Sequence, residues 1–157
     1  MKNIDRRSVL AATAASAALV LSQGVQAQGA PIRIGSTLAL TGPLSATGLT
    51  HKLVGDIYIE QLNARGGLLG RKVEWVVKDD QSKPDLARTL YEQLITTDKV
   101  DLLMGPYATG AILSAMGVAQ RYNKVLVHHT FGIPSLAKYD MHFPAWSLGP
   151  TPQTTVP

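Results

Sequence analysis

The 157 residues suffice for one domain or part of a larger protein, and 45% hydrophobic with 17% charged residues fits a globular chain rather than a disordered one. The net charge is +4, part of it from Lys2, Arg6 and Arg7 at the amino terminus, and no basic run marks a nucleic-acid face. There is no cysteine, which excludes disulfides, thiol catalysis, thiolate metal sites and a lipid-anchored cysteine.

Residues 1–27 read as an export leader. Residues 2–7 are basic, and 9–21 are an alanine-rich apolar core too short to span a bilayer. Val25-Gln26-Ala27 is a small-x-small cleavage site. Asp5-Arg6-Arg7-Ser8-Val9-Leu10 resembles the twin-arginine export motif; an ordinary secretory leader with two arginines is the alternative. The expectation is a mature part, residues 28–157, that is periplasmic, soluble and not lipid-anchored.

Residues 31–40 alternate loosely and stop at Thr41-Gly42-Pro43, which reads as a strand ending in a turn. A helix follows over 49–64. Leu53, Ile57 and Leu62, with Val54 and Tyr58 beside them, recur at helical spacing, and Arg65-Gly66-Gly67 ends it. After a turn at 68–72, the β-branched segment 73–78 predicts a strand closed by Asp79-Asp80. Ser82-Lys83-Pro84-Asp85 reads as a helix start, with Leu86, Leu90 and Leu94 forming one stripe.

Residues 102–104 predict a short buried strand with a tight turn at Gly105-Pro106. A helix over 110–122 would turn Ile112, Met116 and Ala119 inward and stop at Asn123 in a left-handed conformation. Residues 125–127 predict a fourth strand, 128–134 a loop and 143–148 a fifth strand. This order implies an α/β fold with a doubly wound parallel sheet. Ligands bind such sheets at the carboxyl ends of the strands. Those ends fall at 41–48, 107–110 and 130–132.

Thr109, with the free amides of Gly110 and Ala111 at a helix start, is the sharpest candidate, because those donors and the helix dipole suit a carboxylate. A plain helix cap would use threonine equally well. Tyr107 and Phe131 either wall a pocket or pack beneath the loops. His128 and His129 should point to opposite faces of a strand end and so not share an ion. No metal or cofactor site is read. Asp79-Asp80 is either an acid/base pair, as in an exported hydrolase, or a cap at the strand end. Neither a dinucleotide fingerprint nor a nucleophile elbow is present.

Four stretches in order, TGPLSATG, NARGGLLGRKVEWVVKDD, GPYATGA and QRYNKVLVHHT, together resemble the type I periplasmic solute-binding proteins for branched-chain amino acids. The resemblance covers nearly all of residues 32–148. It implies a two-lobed protein that closes on its ligand and hands it to an ABC importer's permease subunits, with residues 28–157 forming an incomplete first lobe. A ligand-sensing module of a regulator or chemoreceptor would share the fold. By position, the resemblance places the ligand's carboxylate and ammonium on Ala108 and Thr109 and on Thr130 and Gly132. Gly132 stands where a hydroxyl residue is common. Thr47 stands where leucine-type binders carry an aromatic. The ligand implied is an amino acid or a related amide or carboxylate.

Overall fold

The computed structural model describes residues 29–131 and 139–147. The elements run β1 (Ile32–Leu38), α1 (Ser45–Ala64), β2 (Val73–Asp79), α2 (Pro84–Thr96), β3 (Leu102–Met104), α3 (Thr109–Arg121), β4 (Leu126–Phe131) and β5 (His142–Ser147). The strands form one sheet in the order β2-β1-β3-β4-β5, and every pairing is parallel. This is the expected doubly wound α/β arrangement. The leader lies outside the described residues, as do Gly132 and the run from residue 148.

The two faces of the sheet are covered unequally. On one face α2 and α3 pack Tyr91, Leu94, Ile95, Ile112, Ala115, Met116 and Ala119 around Leu103, Leu126 and Val100. Ile112, Met116 and Ala119 are buried as their spacing requires. The α2 stripe sits one residue further along than leucine spacing suggested: Ala87, Tyr91, Leu94 and Ile95 are buried, whereas Leu86 and Leu90 are only half-buried. The reason is the Tyr91 hydroxyl, which donates to the Met104 carbonyl at 2.6 Å. That bond draws the ring inward.

The helix start also differs in detail. Lys83 is the N-cap residue and Pro84 follows it, with no side-chain cap. Ser82 ties two loops together instead, donating to the Thr41 carbonyl and accepting from the Leu44 amide. Asn123 (φ 51°), Gly66 (φ 99°) and Gly67 (φ 75°) take the left-handed conformations expected at helix ends.

Helix α1 lies alone on the other face among the described residues. It begins at Ser45, four residues before the sequence suggested. Asn63 clamps its end to β2, donating to the Val73 carbonyl and accepting from the Val73 amide. Its contact face carries Gly48, His51, Gly55 and Ile59, at spacings of three and four; a side chain on Gly55 would overlap the Trp75 ring. The apolar residues chosen from periodicity are therefore displaced sideways: Leu53 is 62% exposed and Val54 60%, with Ile57 and Tyr58 also exposed. Ile57→Lys should change unfolding free energy by no more than about 0.5 kcal/mol. It should also reduce self-association in analytical ultracentrifugation, since contiguous exposed apolar surface drives association.

Candidate functional site

Three described loops meet at the carboxyl edge of the sheet, after β1, β2 and β3. Asp79 organises the first. Its carboxylate accepts from the Leu40 amide (3.0 Å), the Thr41 amide (3.2 Å) and hydroxyl (2.7 Å), and the Gln81 amide (2.8 Å). Partial burial would raise its carboxyl, but these hydrogen bonds outweigh it and hold the group below the usual range. Asp80 faces the opposite side of the sheet. It is buried and accepts from the Thr37 hydroxyl and the Ser82 amide. Two adjacent carboxylates that diverge in this way cannot work as an acid/base pair on one substrate. The hydrolase reading loses its catalysts.

The β3–α3 turn holds a strained residue between two tight contacts. Gly105 is buried, its amide donates to the Val127 carbonyl, and an added Cβ would lie 2.5 Å from the Cβ of His128. Ala108 then sits at φ 77°, ψ 140°, and is the N-cap of α3. For a residue with a Cβ this conformation costs about 1–3 kcal/mol and clusters at binding sites. Thr109 is accordingly the first helical residue, not the cap. The amide row runs from Thr109 through Gly110 and Ala111 at the helix start. Gly110 rests against Pro84, so the α2 and α3 starts adjoin. Ala108→Gly should raise stability by about 1 kcal/mol, because relief of strain exceeds glycine's entropy cost of about 0.5–1 kcal/mol. Chemical denaturation would show this as a higher midpoint.

Strand β4 corrects the expected loop at 128–134, because pairing continues to Phe131. Thr130 and Phe131 are thus strand residues at the carboxyl edge. His128 lies with the α2–α3 core, 1% exposed, and stacks on His142 of β5 at 5.4 Å between ring centroids. His129 points the other way. Its ring meets that of His51 edge-on at 4.7 Å, and His51 also reaches Tyr107 at 5.5 Å. The structure thus joins α1, the β3–α3 turn and β4 through Tyr107, which the sequence had marked, and through His51 and His129. His51 carries a faint signal in its sequence, since it stands four residues before Gly55 and eight before Ile59. Thr47 is half-buried on the first turns of α1. A cavity of about 370 Å³ beside this cluster is lined by His51, Tyr58, Trp75, Met104 and His129. Among the described residues no group of three or more histidine, cysteine, aspartate or glutamate side chains could hold a metal ion.

A parallel sheet with loops converging at its carboxyl edge, and a strained helix start among them, is the frame of a solute site. Residues 31–157 match the periplasmic binding protein family along their whole length. The chain belongs to that family. Among relatives, it is 32% identical to the chemotactic signal transduction system substrate-binding protein BasB of Halobacterium salinarum, over 69% of this chain and 27% of that protein. It is 28% identical to the Leu/Ile/Val-binding protein BraC3 of Rhizobium johnstonii, over 69% of this chain and 29% of that protein. Among solved structures it resembles the branched-chain amino acid transporter substrate-binding protein LivJ of Streptococcus pneumoniae in complex with isoleucine, with a TM-score of 0.69 and 29% identity. That match covers 73% of this chain and 33% of LivJ. The periplasmic binding protein chain thus spans about a third or less of the length of these relatives. The family is one of solute binders rather than enzymes. No helix among the described residues is long and apolar enough to cross a membrane.

Proposed function

We propose that this chain supplies the first part of the first lobe of an extracytoplasmic solute trap, the capturing component of an ABC importer for an amino acid or a related small carboxylate. The family match, together with the strained turn at Ala108, carries this reading. Ala108 and Thr109 hold the ligand's carboxylate at the α3 start. Thr130 and Gly132 hold its ammonium from the end of β4. Tyr107, Phe131 and Thr47 border its side chain. Residues 1–27 direct the chain to the periplasm, and a second lobe closes over the solute before the permease subunits receive it. BraC3 and LivJ, named for branched-chain amino acids, support the amino-acid class. BasB supports a second reading in which the same trap reports to a chemotaxis system.

Magnitudes set the test. A hydrogen bond to a charged group contributes about 1.5–3 kcal/mol and a helix start about 0.3–1 kcal/mol. Micromolar binding needs about 8 kcal/mol net of ordering costs. Two or three contacts on one open lobe fall short. In calorimetry, the 157-residue chain should bind amino acids at about millimolar strength or weaker. The protein carried through to the length of its relatives should bind one of them at micromolar strength. Tight binding by the chain alone contradicts the half-site, and no binding by the longer protein contradicts the solute class. Uptake of labelled ligand against swimming response in a deletion strain separates importer from chemoreceptor.

A further inference from the structure

All four histidines of the chain form two ring pairs on opposite sides of β4. His51 of α1 meets His129 on the α1 face, and His142 of β5 stacks on His128 behind it. The first pair also touches Tyr107, so it spans α1, the β3–α3 turn and the end of β4. Near its start helix α1 meets the sheet through Gly48, His51 and Gly55 and through Lys52 over the Trp75 ring, while its large apolar residues are exposed, so the His51 ring is one of few side chains that reach from it to β4. We propose that the His51–His129 contact, backed by the His128–His142 stack, is an acid-sensitive latch. It fastens the first half of α1 and the β3–α3 turn to β4 while the imidazoles are neutral, and releases them as the rings take up protons.

The charges around the latch favour this. On α1, Lys52 and Asp56 pair with each other at 2.6 Å. The β3–α3 turn contributes the neutral Tyr107. Asp140 stands exposed in the turn before β5. Among the described charges, His142 and His129 act on the His128 ring and His51 on the His129 ring. Burial lowers the pKa of His51. Burial and then the His51 charge lower that of His129. Burial, then His142 and His129, lower that of His128 to about 4. A histidine held neutral in the fold contributes stability that is present above its ordinary value and lost as pH falls below it. The window therefore opens below about pH 6.5 and extends towards pH 4.

The latch is a property of the lobe and is tested without any solute; only its consequence for capture rests on the solute-binding reading. Hydrogen exchange on the 157-residue chain at pH 7.5 and 5.5, corrected for intrinsic rates, reads it directly. Protection of amides in the first half of α1 and in the β3–α3 turn should fall about tenfold, the factor that one pH unit of proton linkage supplies. His51→Gln and His129→Gln should remove that difference while leaving α2 unchanged. Should either variant fail to fold, proton NMR titration of the unaltered chain decides. Midpoints for the His51 and His129 rings clearly below 6.5 support the latch. Ordinary midpoints, or variants that keep the full loss of protection in acid, overturn it.

Discussion

Gly48→Ala should destabilise the chain by about 3 kcal/mol, although alanine is the better helix former. On propensity alone the change would stabilise α1 by about 1 kcal/mol. Gly48 is buried in the first turns of α1, however, and a Cβ placed there would overlap the Ala39 carbonyl. The obstacle is backbone at the end of β1, which cannot rotate aside as a side-chain tip can. The helix start would have to lift from the sheet, taking Thr47 and His51 with it. Overpacking of this kind reaches the upper end of about 1–3 kcal/mol, so the steric term exceeds propensity and reverses the sign. Urea unfolding should show a midpoint lower by roughly 1–3 M, given slopes of about 1–3 kcal/mol per molar. Gly117→Ala is the matched control: it lies in α3 with open space around the added methyl and should gain about 1 kcal/mol. Equal behaviour of the two variants would show that the approach to Ala39 does not matter.

That position also explains which parts of the fold were legible. The strand–helix alternation was readable because glycine, proline and aspartate punctuate it at the loops, because β2 is rich in β-branched and aromatic residues, and because α3 carries a pattern of period 3.6. The inward face of α1 was misread because its contact residues are Gly48, His51 and Gly55, which carry almost no hydrophobic signal. The conspicuous leucines and valines lie beside it. The end of β4 was hidden for a related reason: two consecutive histidines look like a loop, yet His128 behaves as a neutral core ring. Among the candidate positions, the family resemblance pointed to Ala108 and Thr109, and the residue pattern itself to Tyr107. The strain at Ala108 was invisible, because a positive φ is advertised by glycine and not by alanine. Tyr91 escaped notice because its place in the core depends on the polar partners of its hydroxyl, Thr37 and Met104, which are distant in sequence.

Asp80 extends the same polar seam, and its removal should cost about as much as the Gly48 change. Its carboxyl is 2% exposed and accepts from the buried Thr37 hydroxyl at 2.7 Å and the Ser82 amide at 3.0 Å. Asp80→Ala leaves that hydroxyl and amide without their acceptor, at about 1–3 kcal/mol for each unsatisfied group. A total near 3 kcal/mol is expected at neutral pH. Asp80→Asn keeps an acceptor and removes a buried charge, so it should cost about 1 kcal/mol or less. The pH dependence is the discriminating observation. Burial raises the carboxyl's pKa, and the Thr37 and Ser82 hydrogen bonds offset this only in part. A group whose folded value lies above its unfolded one contributes stability that is fully present below the unfolded value of 3.8 and is lost as pH rises through the folded value. The gap between the native chain and Asp80→Ala should therefore be wider at pH 4 than at pH 7, because only the native chain gains from protonation there. Urea unfolding of both proteins at the two pH values measures that gap, and the four histidines cancel because both carry them. A gap that narrows in acid would mean that Asp80 is held as a stabilised anion, in which case the seam from Thr37 to Asp80 would be a charged cap like Asp79 rather than a buried hub between β1 and α2.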